Sequence, residues 1–442
     1  MAFKRDYFKT LLTAIIQVAV MFITQAVLAR ALGTEGRGSF AACITFMNVM
    51  ATLFSFGLDS SNSYYLASRR SSLSSVLGAS VYVVCLSALI CSAAAYLLIF
   101  SGITFFEKAA SNDFLLAALC IGPVIFYSFT VSILRGTLRY TSMNLMGIAN
   151  ILLIAIATYI LCYELNMGVK GAIAAYLFGA ILPVLTILLI SRKEIELYSL
   201  YKGYKTVPGL LHYGFRAYIS YFAQTMNIQL GLLVMGFMLD DVSILGFYSI
   251  AIAIVSRIWI IPDSLYQVLM PKLANDKNMD IEGLCKALRI IILVVIAASL
   301  FLAAICHPLV LYGLGPEFIP ATIAVYILLI GVIFRSASKV VTAYFFAANR
   351  PGINSAIKFV GVVINIALLM LMVPAYKLTG AAIATSISYA LEAFIMLFYF
   401  ARITRLSSAK LLIPQLDDVR SGLLVASSIT SNKKRALLSE GV

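Results

Sequence analysis

The sequence predicts an all-α polytopic membrane protein: twelve transmembrane helices in two six-helix lobes around a central cavity. Three observations carry this. Of 442 residues, 62% are apolar, against roughly 45–50% in a soluble domain. Apolar runs near the roughly 20 residues needed to cross a hydrocarbon core recur along the whole chain. The second half also repeats the first at a constant offset.

The runs fall at about 10–31, 38–57, 77–100, 114–134, 143–163 and 168–190, then at 213–238, 243–268, 288–312, 321–346, 353–374 and 379–401. We number them as spans one to twelve. Span one follows Lys4, Arg5 and Lys9. It is too long for a signal-peptide core and has no small-residue cleavage site after it, so it reads as a span. The domain organisation expected is a lobe at 1–190, a charged linker at 191–212, a second lobe at 213–401 and a tail at 402–442.

The repeat rests on three matches. Gly38 in "GTEGRGSFA" corresponds to Gly246 in "LDDVSILGFY", an offset of 208. Asn144 and Asn354 open spans five and eleven, 210 apart, and Gly171 and Gly380 open spans six and twelve, 209 apart. Six spans is an even number, so the halves share one orientation and are parallel repeats, which enclose a cavity that rocking exposes to each side in turn.

Net charge is +14, from 33 Lys+Arg against 19 Asp+Glu. In a soluble chain that excess would suggest nucleic acid; here basic residues anchor cytoplasmic loops. With the N-terminus inside, 25 Lys/Arg fall on the inner side and five (Arg30, Arg37, Lys108, Lys170, Lys377) on the outer side. Three, Arg257, Arg335 and Lys339, lie inside helices. Both termini are therefore expected in the cytoplasm of an inner-membrane protein. The basic tail is expected to lie near anionic headgroups of membrane lipids.

Several chemistries are excluded. The seven cysteines contain no CxxC and read as packing residues; the two histidines lie far apart, so neither metal nor cofactor is expected. The chain has no GxxxxGK[ST] loop and no long outer loop for a membrane enzyme's catalytic groups. The Gly33–Gly38 stretch joins two apolar helices and reads as a tight outer turn, with Glu35 and Arg37 solvated.

Binding residues are sought where polar groups share a helix face. Span one carries Thr10, Thr13, Gln17 and Thr24; span two carries Thr45, Asn48, Thr52 and Ser55. Span seven carries Arg216, Ser220, Gln224 and Asn227; span eight carries Ser256, Arg257, Asp263 and Gln267. Such faces turn toward protein or water, and the four together suggest a wet cavity; interhelical hydrogen bonding is the alternative. Arg335 and Lys339 share a face of span ten, with Glu392 in span twelve. Two ion pairs are available, Lys339 or Arg335 with Glu392 and Arg257 with Asp263, and a cation is left over even then. An unpaired intramembrane cation implies an anionic partner, and the planar guanidinium suits phosphate oxygens. Glu392, Asp263 and Asp59 are the carboxylates available for ion pairing or coupling.

"LARALGTEGRGSFA" (Leu28–Ala41), "FSFGLDSSNSYYLA" (Phe54–Ala67) and "GVKGAIAA" at the start of span six resemble bacterial oligosaccharide flippases of the multidrug/oligosaccharidyl-lipid/polysaccharide exporter superfamily. The similarity covers residues 1–402. It implies a V-shaped two-lobe fold with its cavity between spans one, two, seven and eight. It also implies transfer of an undecaprenyl-pyrophosphate-linked sugar repeat unit to the periplasmic leaflet, for O-antigen or exopolysaccharide assembly. A polysaccharide polymerase and a chain-length regulator are the assembly partners such a role suggests. Arg30 matches the Arg of the family's AR-x-LG pattern. Relatives that flip the peptidoglycan precursor carry arginines within span one and usually fourteen spans; here no basic residue lies between Lys9 and Arg30. The alternative is a cation-coupled multidrug antiporter, whose relatives use membrane carboxylates. Spans one and three to six hold none.

The charge bias makes the orientation testable. Reporter fusions after Gly102, Asp241 and Leu314 are expected to read periplasmic, and those after Arg70, Tyr204 and Lys277 cytoplasmic. One inverted pair between the halves would end the parallel-repeat reading.

Overall fold

The computed structural model describes residues 2–191, 201–275, 281–348 and 350–406. Among these residues there are helices and turns and no strand. Nine helices among the described residues are long and apolar enough to cross a membrane. Two of them are folded pairs: Ala2–Ser55 turns at Gly33 and Pro351–Thr404 turns at Lys377. The 32-residue helix Val207–Met238 adds a further long element, so the architecture is consistent with twelve crossings.

The turn between spans one and two is sharper than the sequence suggests. Gly33 alone makes it, at φ 64° and ψ −172°, a conformation that a side chain would strain. Helix resumes at the next residue, so Arg37 and Gly38 belong to span two and not to a solvated turn. Arg37 is buried, which corrects the expectation that it is solvated. Lys377 makes the second fold at φ 47°.

Spans one and two pack on spans four, five and six, and spans seven and ten pack on the folded pair of spans eleven and twelve. Each half has an aromatic interior: Phe46, Phe106 and Phe114 meet edge to face in the first, and Tyr344 meets Phe400 in the second.

The halves join through repeat-related glycines. A Cβ at Gly38 would lie 1.9 Å from the carbonyl oxygen of Val242, and one at Gly246 would lie 2.6 Å from that of Thr34. Val242 precedes Gly246 by the same interval as Thr34 precedes Gly38. The contact is self-complementary, as a two-fold relation requires. Around it Lys108 pairs with Asp240 at 3.8 Å and Thr104 donates to the carbonyl of Phe237 at 3.2 Å. At the other end of the bundle Gly57 meets Gly214, the rings of Tyr64 and Tyr213 stack at 4.1 Å, and Tyr218 donates to the carbonyl of Leu53 at 2.8 Å. The halves thus touch at both ends.

Candidate functional site

Where span one of the first half meets spans eight and nine of the second lies a cavity of about 430 Å³. Span one lines it with Val18, Ala19, Phe22, Ile23 and Gln25, span eight with Ile250, Ala253, Ile254 and Arg257, and span nine with Leu302, Leu309 and Leu314. Its walls are apolar except for Gln25 and Arg257. The site is therefore drier than the polar faces suggest, and it lies against span nine, with no lining residue from span two or seven among the described residues.

Arg257 stands where span eight breaks. The helix Val242–Val255 gives way to a 3₁₀ turn, Ser256–Trp259, before Ile260–Asn275. Pro262 has no N–H to return to the carbonyl of Ile258, so the α-helical ladder fails here. The guanidinium donates from Nε to the carbonyl of Ala253 at 3.2 Å and from Nη1 to the Met21 sulfur at 3.2 Å. Both acceptors are neutral, and the thioether is a weak one. Among the described residues Arg257 makes no ion pair.

The anticipated pairing of Arg257 with Asp263 does not form. Asp263 accepts instead from Lys339 at 2.7 Å, and the same ammonium lies 4.9 Å from the ring centre of Tyr266. Arg335, one turn away, lies 4.4 Å from the ring of Trp259 and 4.8 Å from that of Tyr389. Trp259, Asp263 and Tyr266 form one face of span eight, spaced four and three, and span ten meets that face with both of its cations. Arg335 and Lys339 are thus matched within the second half and do not line the cavity.

Glu392 pairs with neither of them. Its carboxylate accepts from Lys358 at 3.3 Å and from Asn227 at 3.4 Å; Asn365 donates to Asn227 at 2.5 Å. The group ties spans seven, eleven and twelve together. Gly361 makes room for it, since a Cβ there would lie 3.2 Å from the carboxylate. Lys358 lies near the start of span eleven, where a basic residue reads as an inner-loop anchor. Its place five residues inside an apolar run is the signal that marks it.

The remaining polar residues mostly join helices. Ser220 accepts from Asn354 at 2.8 Å, so with Asn227 the face of span seven turns into its own half. Thr24 and Ser55 bond to carbonyls of their own helix. Gln17 packs on Gly147 of span five. Asn48 and Gln224 are half-buried and do not line the cavity. Asp59 accepts from Ser128 at 2.6 Å, and the exposed Arg30 donates to the carbonyl of Tyr312 at 2.6 Å across the halves. The side chains of Thr10, Thr13, Arg216 and Gln267 lie outside the described residues. For these faces interhelical bonding, the alternative weighed from the sequence, is what the geometry favours.

Removing one member of a buried pair costs about 3–5 kcal/mol, because the other is left charged and unmatched. Glu392→Gln is therefore expected to lower the amount of folded protein in the membrane. Lys358→Met in the same chain is expected to restore it, and Lys339→Met is not. Equal levels for Glu392→Gln and the unaltered chain on immunoblots of membrane fractions would show that the pair contributes no stability.

Known proteins fit this geometry. The family model described as "Polysaccharide biosynthesis protein" matches residues 3–277. A Shigella flexneri protein named as an O-antigen transporter is 25% identical over 401 residues, covering 85% of this chain and 92% of its own. Among solved structures, a lipid II flippase (MurJ) in an inward closed conformation aligns with a TM-score of 0.70 at 16% identity, covering 98% of this chain and 99% of its own. An inward-facing multidrug resistance transporter of the MATE family aligns with a TM-score of 0.68 at 15% identity, covering 88% and 98%. These structures share the fold, and the relatives are transporters, not enzymes. Its long apolar helices are those of a multi-pass membrane protein, and the chain belongs to the polysaccharide biosynthesis protein family.

Proposed function

We propose that this protein is a flippase that moves an undecaprenyl-pyrophosphate-linked oligosaccharide repeat unit from the cytoplasmic to the periplasmic leaflet, for O-antigen or exopolysaccharide assembly. The observation that carries the reading is Arg257, a cation on an apolar cleft whose protein partners are both neutral. A charge inside a bilayer is costly unless something matches it, and such residues mark substrate paths. A diphosphate supplies the opposite charge, with oxygens arranged for a planar donor. The apolar wall of Val18, Phe22, Ile254 and Leu302 suits the first isoprene units of the lipid. The transport named for the relative agrees in substrate class.

Movement would follow from the seams. The contact of Gly38 with Gly246, with Lys108–Asp240 beside it, closes the periplasmic end in this reading. The contact of Gly57 with Gly214, with the stacked Tyr64 and Tyr213, closes the cytoplasmic end. Besides apolar packing, each seam carries close backbone approach, a few hydrogen bonds and an ion pair or ring stack. Single hydrogen bonds contribute about 1 kcal/mol, so a substrate that favours one open state by a few kcal/mol can shift the population. Cation antiport, as in multidrug relatives, is the weaker reading: among the described residues the charged side chain lining the cleft is Arg257, which is positive and repels organic cations.

Loss of a buried hydrogen bond to a charged group costs about 1.5–3 kcal/mol, roughly ten- to hundredfold. Arg257→Ala is therefore expected to cut surface polysaccharide by at least that factor in cells lacking their own transporter, while membrane insertion stays normal. Arg257→Lys keeps the charge without the planar donor and is expected to retain part of the activity. Equal surface display from Arg257→Ala and the unaltered chain would overturn the assignment.

A further inference from the structure

A second arginine is buried without a matching charge. Arg37, in span two, is 4% exposed. Its Nη2 donates to Gln25 Oε1, and its Nε and Nη1 have no partner. The Phe40 ring lies 5.2 Å away. Among the described residues no carboxylate pairs with it. A buried cation with two orphaned nitrogens is expensive and calls for an explanation.

Its position supplies one. Arg37 precedes Gly38, the residue that meets Val242 at the seam, and its Cβ lies 3.5 Å from where a Cβ on Gly246 would be. Its one polar partner, Gln25, lines the cleft that holds Arg257. The seam beside its Cβ is the contact that breaks when the halves part at this end. The guanidinium itself lies among Gln25, Phe40 and Tyr176 of its own half, tethered through Gln25 to the cleft wall. We infer that Arg37 is a second oxyanion-binding residue, which receives the substrate's diphosphate from Arg257 as the periplasmic end opens. In the closed state Gln25 and Phe40 hold it in place of that ligand. Two cationic stations at different depths would let the anion advance without standing uncompensated in hydrocarbon.

This inference rests on the diphosphate reading above, and charge rescue tests it separately. Arg37→Cys is made in a chain that displays a repeat unit of neutral sugars, so that the diphosphate is the oxyanion on offer. Surface display is expected to fall at least tenfold at an unchanged protein level. Aminoethyl methanethiosulfonate, which adds an ammonium at position 37, is expected to restore more than half of the display. Methyl methanethiosulfonate, which adds a neutral group, and the sulfonatoethyl reagent, which adds an anion, are expected to restore none. The same reagents on the chain with Arg37 intact give the background. Full display from untreated Arg37→Cys overturns the inference. So does equal rescue by the neutral reagent, or no rescue by the amino reagent once mass spectrometry shows modification. If Arg37→Cys does not accumulate, Arg37→Lys and Arg37→Met are compared at matched protein levels: display kept by Lys and lost by Met is expected, and display kept by Met overturns the inference. Full display from Arg257→Ala would instead remove the diphosphate reading itself.

Discussion

Charge balance inside hydrocarbon is the constraint on which this structure turns. Within the second half, Lys339 is matched by Asp263, Lys358 by Glu392, and Arg335 by the faces of Trp259 and Tyr389. These matches hold spans seven, eight, ten, eleven and twelve in register, because shifting one helix by a turn would strand a charge. Arg257 is the exception on the cleft. Its two acceptors satisfy hydrogen-bond geometry and leave its charge uncompensated. The anion site proposed for this protein rests on that contrast: the other cations named in this half have partners, and Arg257 stands open on an apolar wall.

The same economy governs how the halves meet. Gly38 and Gly246 permit backbone contact that any side chain would obstruct, and Gly57 and Gly214 do so at the other end. Around the glycines the two halves share one apolar core, with Phe105 of the first half 5.2 Å from Phe237 of the second, ring centre to ring centre. Each half also has its own aromatic interior and buried polar clamps such as Asn354 between Ser220 and Thr342. In the function proposed, rocking would move the halves about these glycine contacts.

Much of this was legible in the sequence. Apolar run length locates the helices, and a repeat offset of 208 pairs Gly38 with Gly246. The depth of Arg257 in span eight was also plain. Its partners were not, because sequence spacing shows which residues share a face but not which neighbour that face meets. Span seven carries a polar stripe like a cavity wall, yet Asn227 and Ser220 face spans eleven and twelve. Arg37 was misplaced for a local reason: Gly33 completes the turn by itself, so helix resumes earlier than a glycine-rich stretch suggests. Lys358 was missed because a basic residue near the end of an apolar run reads as a loop anchor, whereas here Glu392 draws it inside.

Equilibrium binding of farnesyl diphosphate to the purified protein shows whether Arg257 holds a lipid-linked diphosphate. Saturable binding is expected to weaken in the order diphosphate, monophosphate, farnesol, and to fall at least tenfold in Arg257→Ala, which is about 1.4 kcal/mol. Equal affinity for the three lipids, or for Arg257→Ala and the unaltered chain, would rule that role out.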